Sequence, residues 1–136
     1  MSHIEIKSKE QILTSAQLED LFLSVEWSSG HYPQKLEKAM RNYATVFSAW
    51  DEGRLVGLVS AMDDGIMTAY VHYLLVRPEY QGRGIGRKLL EKVKEKYKDY
   101  LRITLHSYDR ECGFYEHLGF RKAEDEPPMS LTSLWT

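Results

Sequence analysis

Three alternating glycines, Gly82, Gly84 and Gly86, constrain this chain more than any other feature of its sequence. They follow Thr68–Val76, a segment rich in β-branched and aromatic residues that is typical of a strand. Pro78 ends that strand because proline removes a backbone donor and restricts the residue before it. A helix follows the glycines, with apolar residues at helical spacing at Ile85, Leu89, Val93 and Tyr97.

A strand-to-helix turn of this composition has a specific chemical property. Glycine leaves backbone N–H groups uncovered and reaches conformations that other residues avoid. The first four amides of a helix have no internal partner, and the helix dipole adds about half a positive charge at that end. The sequence therefore predicts a socket for a phosphate or pyrophosphate, with Arg83, Arg87 and Lys88 at its rim.

Known phosphate-binding patterns narrow the choice of ligand. The P-loop spacing G-x-x-x-x-G-K-[ST] is absent from the sequence. The dinucleotide fingerprint G-x-G-x-x-G, started at Gly82, places Arg87 at its last glycine. A tight turn without a ligand is the remaining alternative, although one glycine usually suffices for such a turn.

The other sequence patterns predict a mixed α/β domain. A strand–helix–strand unit from Thr68 to His106 requires a parallel neighbour, whereas the turn at 51–54 predicts an antiparallel hairpin. Further elements are predicted at His3–Lys7 (strand), from Thr14 or Ser15 and from near Pro33 (helices), at Leu101–His106 (strand) and at Glu111–Leu118 (helix).

Length and composition limit the possible functions. A chain of 136 residues fits one domain, residues 1–136. Its net charge of −2 argues against nucleic-acid binding and against attraction to an anionic membrane. Cys112 is the single cysteine, so no internal disulfide and no cysteine-based metal site is expected. Because the N-terminus lacks a signal-peptide pattern, we expect a cytoplasmic protein.

Two motifs carry a resemblance to a known family. The segment 81–86, Gln-Gly-Arg-Gly-Ile-Gly, resembles the Q/R-x-x-G-x-G/A signature of the GNAT N-acetyltransferase superfamily. The segment 114–120, Phe-Tyr-Glu-His-Leu-Gly-Phe, is similar to the family's F-Y-x-x-x-G-F element. The resemblance covers roughly Val46 to Phe120, and the order of predicted elements fits across it.

The resemblance implies a fold and a cofactor. The fold is an α/β, mainly antiparallel mixed sheet of six to seven strands with about four helices and a splayed central parallel strand pair. The cofactor is acetyl-CoA, and no metal is implied. The local net charge of +5 between Arg77 and Arg102 suits so anionic a molecule. The implied cofactor-binding residues are Leu74, Leu75 and Val76 for pantetheine and Gln81, Gly82, Arg83, Gly84, Ile85, Gly86 and Arg87 for the pyrophosphate.

Candidate acid and base residues follow from the motif and from the strand pattern. Tyr115 occupies the family's tyrosine position, which implies that it protonates the CoA thiolate. His72 shares a strand face with Tyr70, and histidine titrates near neutrality, so it is a candidate base. A hydrogen-bonded core histidine is the alternative. His106, Asp109 and Glu111 are weaker candidates, and the amine could also lose its proton to water.

The acceptor site is predicted from the residue types near the first two helices. Aromatic and carboxylate groups near the first two helices suit a small-molecule primary amine. The candidate side chains are Trp27, His31, Tyr32 and Tyr70, with carboxylates from Glu26, Asp63 and Asp64. A protein or peptide N-acetyltransferase and a non-catalytic acyl-CoA-binding module are the alternatives. Extended C-terminal residues, including Leu131 to Trp135, predict edge strands and a possible homodimer.

Overall fold

The computed structural model describes residues 3–134 and residue 136. Within them it contains the strands β1 Ile4–Lys7, β2 Thr45–Asp51, β3 Arg54–Asp63, β4 Thr68–Val76 and β5 Arg102–Leu105. The helices are α1 Ser15–Ser24, α2 Pro33–Asn42, α3 Ile85–Lys96 and α4 Cys112–His117. Short 3₁₀ turns cover Ser28–His31, Pro78–Tyr80 and Asp109–Glu111.

The strands form one mixed sheet in the order β1-β2-β3-β4-β5. The first three neighbouring pairs are antiparallel, and β4 pairs with β5 in parallel through the α3 crossover. The turn between β2 and β3 places Glu52 and Gly53 at positive φ, which suits a tight hairpin. The predicted mixed α/β class is confirmed.

The number of strands is smaller than predicted. Five strands form instead of six to seven, because residues 121–134 contain no strand. Pro127 and Pro128 lack backbone donors, and this segment is exposed throughout. It can therefore supply neither a continuous row of backbone hydrogen bonds to a neighbouring strand nor a buried apolar face. Of the predicted C-terminal edge strand, 131–134 is non-strand and Trp135 lies outside the described residues. The homodimer that this edge suggested stays a prediction.

The sheet separates two apolar clusters. On one face α3 packs its buried side chains, among them Leu89 and Val93, against Val59 and Val71. On the other face α1 and α2 cover Leu58 and the inner side of β2. Thr14 begins α1 through a capping box with Gln17, as its residue type predicts. The helices therefore cover both faces of the sheet.

One irregularity in β4 decides which side chains share a face. Ser60 of β3 lies opposite Tyr73, and the next residue, Ala61, lies opposite Val71. His72 is thus the extra residue of a β-bulge, and the side-chain alternation shifts by one after it. Before the bulge Val71 packs on the α3 face, and after it Tyr73 packs on the α1 and α2 face. The bulge therefore turns His72 and Tyr73 toward the same side.

Candidate active site

The parallel strands β4 and β5 separate part of the way along. Their pairing begins at Thr68 opposite Arg102 and ends at Val71 opposite Leu105. β4 continues for five residues to Val76, still paired with β3 on its other edge. The main chain of residues 72–76, which includes Leu74 and Leu75, therefore has an edge beyond the last β5 pair. This is the splayed pair that the resemblance implied.

The glycine bend follows directly after that open edge. Gly82 and Gly84 have φ values of 79° and 81°, and a Cβ built at either one meets no atom within 4 Å. Gly84 is the N-cap of α3 and no side chain caps the helix there. The backbone amide of Lys88 donates a hydrogen bond to the Gly84 carbonyl at 3.0 Å. The amides of residues 84–87 precede that bond, so they are available to an anion.

The bend is fixed to the strand that it follows. The side-chain amide of Gln81 donates to the carbonyl oxygen of Val76 at 2.9 Å. Ile85 is buried among the α3-side cluster, so the first helical turn cannot move independently of the sheet. Open space above two glycines, uncovered amides and a rigid base together fit a diphosphate group.

The two predicted arginines at the rim are already engaged. The Arg83 guanidinium stacks over the Tyr80 ring at 4.9 Å and donates to the Glu79 carbonyl at 3.1 Å. Arg87 forms an ion pair with Glu91 one turn along α3, at 2.8 Å. These contacts are exposed and worth little energy, so either arginine could exchange its partner for a phosphate.

Tyr115 lies on the α3 face of the sheet. Its neighbour Phe114 comes within 3.6 Å of the position that a Cβ on Gly86 would take, so α4 touches the first turn of α3. The Tyr115 ring packs against Phe114 and Phe120. Burial, with a smaller contribution from the Glu111 carboxylate, raises the pKa of Tyr115 to about 12. Its phenol therefore keeps its proton at neutral pH and can act as an acid.

His72 lies on the opposite face, in an aromatic environment. The Tyr43 hydroxyl is 2.5 Å from its Nδ1 atom, and the Tyr73 ring stacks on the imidazole at 4.1 Å between centroids. Burial lowers the pKa of His72, and the nearby His106 imidazole lowers it further. His72 is therefore neutral at pH 7, which is the state that a general base requires.

A cleft of about 360 Å³ opens in front of His72. The residues that line it are Ser29, Tyr32, Lys35, Leu36, Ala39, Tyr43, His72, Tyr73 and Leu134. The cleft thus brings together two of the predicted site residues, His72 and Tyr32. It also contains one cation, from Lys35, and no carboxylate among these lining residues.

The other predicted acceptor residues lie around the cleft rather than in its lining. The Trp27 ring packs on Phe22 and Tyr73 at 6.1 Å each, behind the cleft wall. His31 is exposed at the end of the 3₁₀ turn that precedes α2. Tyr70 directs its hydroxyl toward Nδ1 of His106, at 3.4 Å, and its ring is 5.8 Å from that of His72.

The candidate carboxylates do not line the cleft, and two of them make hydrogen bonds within the fold. Asp63 accepts a hydrogen bond from the Tyr97 hydroxyl at 2.7 Å. Asp64 closes the β3–β4 turn by accepting from three backbone amides, those of residues 66–68, which lowers its pKa. Glu26 is exposed and does not line the cleft. Among the described residues, no group of His, Cys, Asp and Glu could hold a metal ion.

Sequence reasoning missed several residues of the cleft. Tyr43 has the helical spacing of an apolar residue, and nothing local indicates that its hydroxyl reaches His72. Ser29 bonds the Tyr73 hydroxyl at 3.0 Å and also donates to the Thr136 carbonyl. Such contacts join residues that are 29 to 107 positions apart, and a single sequence contains no signal for them.

The comparison with protein families agrees with this geometry. The family model for an acetyltransferase (GNAT) domain matches residues 6–129. This chain belongs to the GNAT acetyltransferase family. The family uses acetyl-CoA, and the open β4 edge and the glycine bend are suited to such a ligand.

Individual relatives and solved structures extend the comparison. An uncharacterized N-acetyltransferase ycf52-like of Prochlorococcus marinus is 27% identical over 94% of this chain and 72% of its own length. The chain spans only 28 to 37% of the length of three other plant and algal relatives. A GNAT-family acetyltransferase from Streptococcus pneumoniae superimposes with a TM-score of 0.80 at 26% identity, covering 98% of both chains.

Another solved structure shares only its fold with this chain. An aminoglycoside N-acetyltransferase solved in complex with CoA has a TM-score of 0.69 at 15% identity, covering 98% of this GNAT chain and 97% of its own.

Among the helices of the described residues, none is long and apolar enough to cross a membrane.

Proposed function

We propose that this protein, as a single GNAT domain, transfers the acetyl group of acetyl-CoA to the primary amine of a small molecule. One observation carries the proposal: the open main-chain edge of residues 72–76 is followed directly by a bend with uncovered amides at residues 84–87. A long ligand with amides at one end and a diphosphate at the other fits both features at once.

The main chain supplies most of the proposed contacts with the cofactor. The free edge at Leu74, Leu75 and Val76 can pair with the amides of a pantetheine arm as an added strand would. The amides around Gly84 and Gly86 can hold the diphosphate at the positive end of α3. Because these contacts use backbone atoms, they require the glycines for space more than any particular side chain.

The acid and the base would reach the reacting atoms from opposite faces of the sheet. His72 belongs to the cleft on the α1 and α2 face, and Tyr115 packs with the α3-side cluster. In the proposed reaction a C–N bond forms and the C–S bond of the thioester breaks. His72 takes the proton that the amine loses, and Tyr115 gives a proton to the leaving sulfur. The gap between β4 and β5 is where both could act on one substrate pair.

The lining of the cleft favours one class of acceptor. Tyr32, Tyr43 and Tyr73 present aromatic surface, and Lys35 adds a positive charge that no described carboxylate within ion-pair distance neutralises. Polyamines and lysine-rich peptides would bring several positive charges toward Lys35. We therefore propose a monoamine with an aromatic or apolar body, in preference to a polyamine or a basic peptide.

Release of free CoA thiol from acetyl-CoA tests this proposal. The assay should compare arylalkylamines with polyamines and with lysine-containing peptides at equal concentration. We expect at least tenfold higher kcat/KM for the arylalkylamines. A preference for peptides would support the protein N-acetyltransferase alternative. Saturable CoA binding without thiol release on any amine would support the non-catalytic module instead.

A further inference from the structure

Two hydroxyl groups, those of Tyr43 and Ser60, lie close to His72. Tyr43, only 8% exposed, places its hydroxyl 2.5 Å from Nδ1 of His72. Ser60 of β3 is fully buried and lies at the bulge, and its hydroxyl has no hydrogen-bond partner among the described residues. Burial raises the pKa of Tyr43 to about 12, and the Ser60 hydroxyl is near enough to the phenol to oppose part of that rise. A buried hydroxyl without a partner is costly, so its retention at this place calls for a reason.

The proposed role of His72 as a base provides that reason. A neutral imidazole has one donor and one acceptor nitrogen, whereas the imidazolium ion has two donors. Nε2 can take a proton only from the tautomer that already carries its hydrogen on Nδ1, so Nδ1–H donates to the Tyr43 oxygen both before and after the transfer. The Tyr43 hydroxyl proton then needs a different acceptor, and Ser60 Oγ is the buried group beside it. All three groups are satisfied in the neutral Nδ1–H tautomer and in the imidazolium, and the proton count changes only at Nε2.

We propose that Tyr43, with Ser60 as acceptor for its hydroxyl proton, is a positioning residue that stabilises the protonated form of His72 during acetyl transfer. The inference rests on the proposed function only in assigning His72 as the base. Hydrogen bonds to an ionised group are about twice as strong as neutral ones, so the net effect of Tyr43 is to favour the imidazolium. It thereby offsets part of the burial that opposes a positive charge at this site.

Other groups near His72 act on the same equilibrium and must be kept constant in a test. His106, after β5, opposes protonation of His72 through its own positive form. Burial raises the pKa of Tyr70, so its phenol stays neutral at physiological pH. The titratable groups that face or approach His72 are Tyr43, Tyr70, Tyr73 and His106, with Lys35 and Tyr32 at the cleft mouth.

The test measures the His72 imidazole directly by NMR titration of the free protein, comparing wild type with Tyr43→Phe. We expect the proton affinity of His72 to fall about tenfold in the variant, that is, by about one pKa unit. Ser60→Ala should lower the proton affinity in the same direction but by a smaller factor. Tyr70→Phe is the matched control, since its hydroxyl faces His106, and it should change the His72 titration less than twofold. An unchanged or increased proton affinity in Tyr43→Phe overturns the proposal.

A second measurement separates this inference from the proposed function. In the pH profile of kcat, Tyr43→Phe should move the acid limb to lower pH and reduce the plateau several-fold, with the acceptor KM unchanged. A packing defect alone would not move the limb. If the His72 titration shifts but the limb does not, His72 is not the base and the catalytic part of the inference is overturned. Should Tyr43→Phe fail to fold, the Ser60→Ala titration and profile decide the matter by the same criteria.

Discussion

The proposed diphosphate site can be tested by one charge placed at the N-cap of α3. Gly84 has φ 81° and ψ 9°, and a side chain there enters open space. Asparagine and aspartate tolerate this left-handed conformation better than other non-glycine residues. Gly84→Asn and Gly84→Asp therefore carry the same backbone strain and nearly the same volume, and they differ only in one negative charge.

The expected magnitude follows from the position of that charge. A carboxylate on Gly84 would lie about 4 Å from a diphosphate held by the amides of residues 84–87. The repulsion between two unit charges at that distance is about 1 kcal/mol in water and about 4 kcal/mol at a protein surface. The Asp variant should thus bind CoA about 5- to 1000-fold more weakly than the Asn variant. Stability should change in the opposite direction, because an acidic residue at a helix N-terminus stabilises it by about 0.3 to 1 kcal/mol.

Isothermal titration calorimetry with CoA and urea unfolding of both variants measure the two effects. The wild type is the reference for affinity, and the Asn variant is the control for strain and size. Equal CoA affinity of the Asp and Asn variants would refute the assignment of the diphosphate to this bend. A large loss of stability in the Asp variant alone would show that Gly84 has a structural role that the backbone geometry does not explain.

The remaining predictions concern the proposed acid, the proposed base and the buried arginine that precedes the bend. Tyr115→Phe should reduce kcat at least tenfold and leave CoA affinity unchanged by calorimetry, and an unaltered kcat would exclude it as the acid. The pKa of His72 is lowered from its ordinary value of 6.5, so the wild-type rate should fall as the pH drops through that lowered value. His72→Ala should abolish this acid limb of the pH profile. A variant profile like that of the wild type would exclude His72 as the base. Arg77, 3% exposed, donates to the Leu55 carbonyl at 2.8 Å, so Arg77→Ala should cost about 2 to 3 kcal/mol in urea unfolding. The exposed Arg41→Ala is its control, expected to cost under about 0.5 kcal/mol, and equal costs would contradict the argument.

The glycine bend and the strand order could be predicted from the sequence because both depend on local chemistry. Alternating glycines between a β-rich run and an amphipathic run have few structural solutions. The hairpin turn and the crossover helix likewise follow from short segments. The family motif then linked the bend to the Tyr115 segment, and the contact between Phe114 and the first turn of α3 agrees with that link.

The details of the acceptor cleft could not be predicted, since they depend on contacts distant in sequence. A bulge at His72 leaves no local mark, because the residue is neither glycine nor flanked by one. Without the bulge, strict alternation would place Tyr73 on the wrong face. Carboxylates were expected near the acceptor, but Asp63 and Asp64 hold a tyrosine and a turn instead. The predicted C-terminal strands do not form in the part of the chain that the structure describes, because the segment contains two prolines. Whether such a segment can still pair depends on the strand edge beside it, which the sequence alone does not show.

The separation of β4 from β5 also bears on how the protein behaves when it is purified. A strand edge that has no β5 partner beyond Val71 is a template on which another polypeptide can add. A bound thioester ligand would cover that template, so CoA should suppress self-association as well as supply the reaction. Solutions prepared without it are expected to become polydisperse at high concentration, and light scattering with and without CoA would reveal the difference.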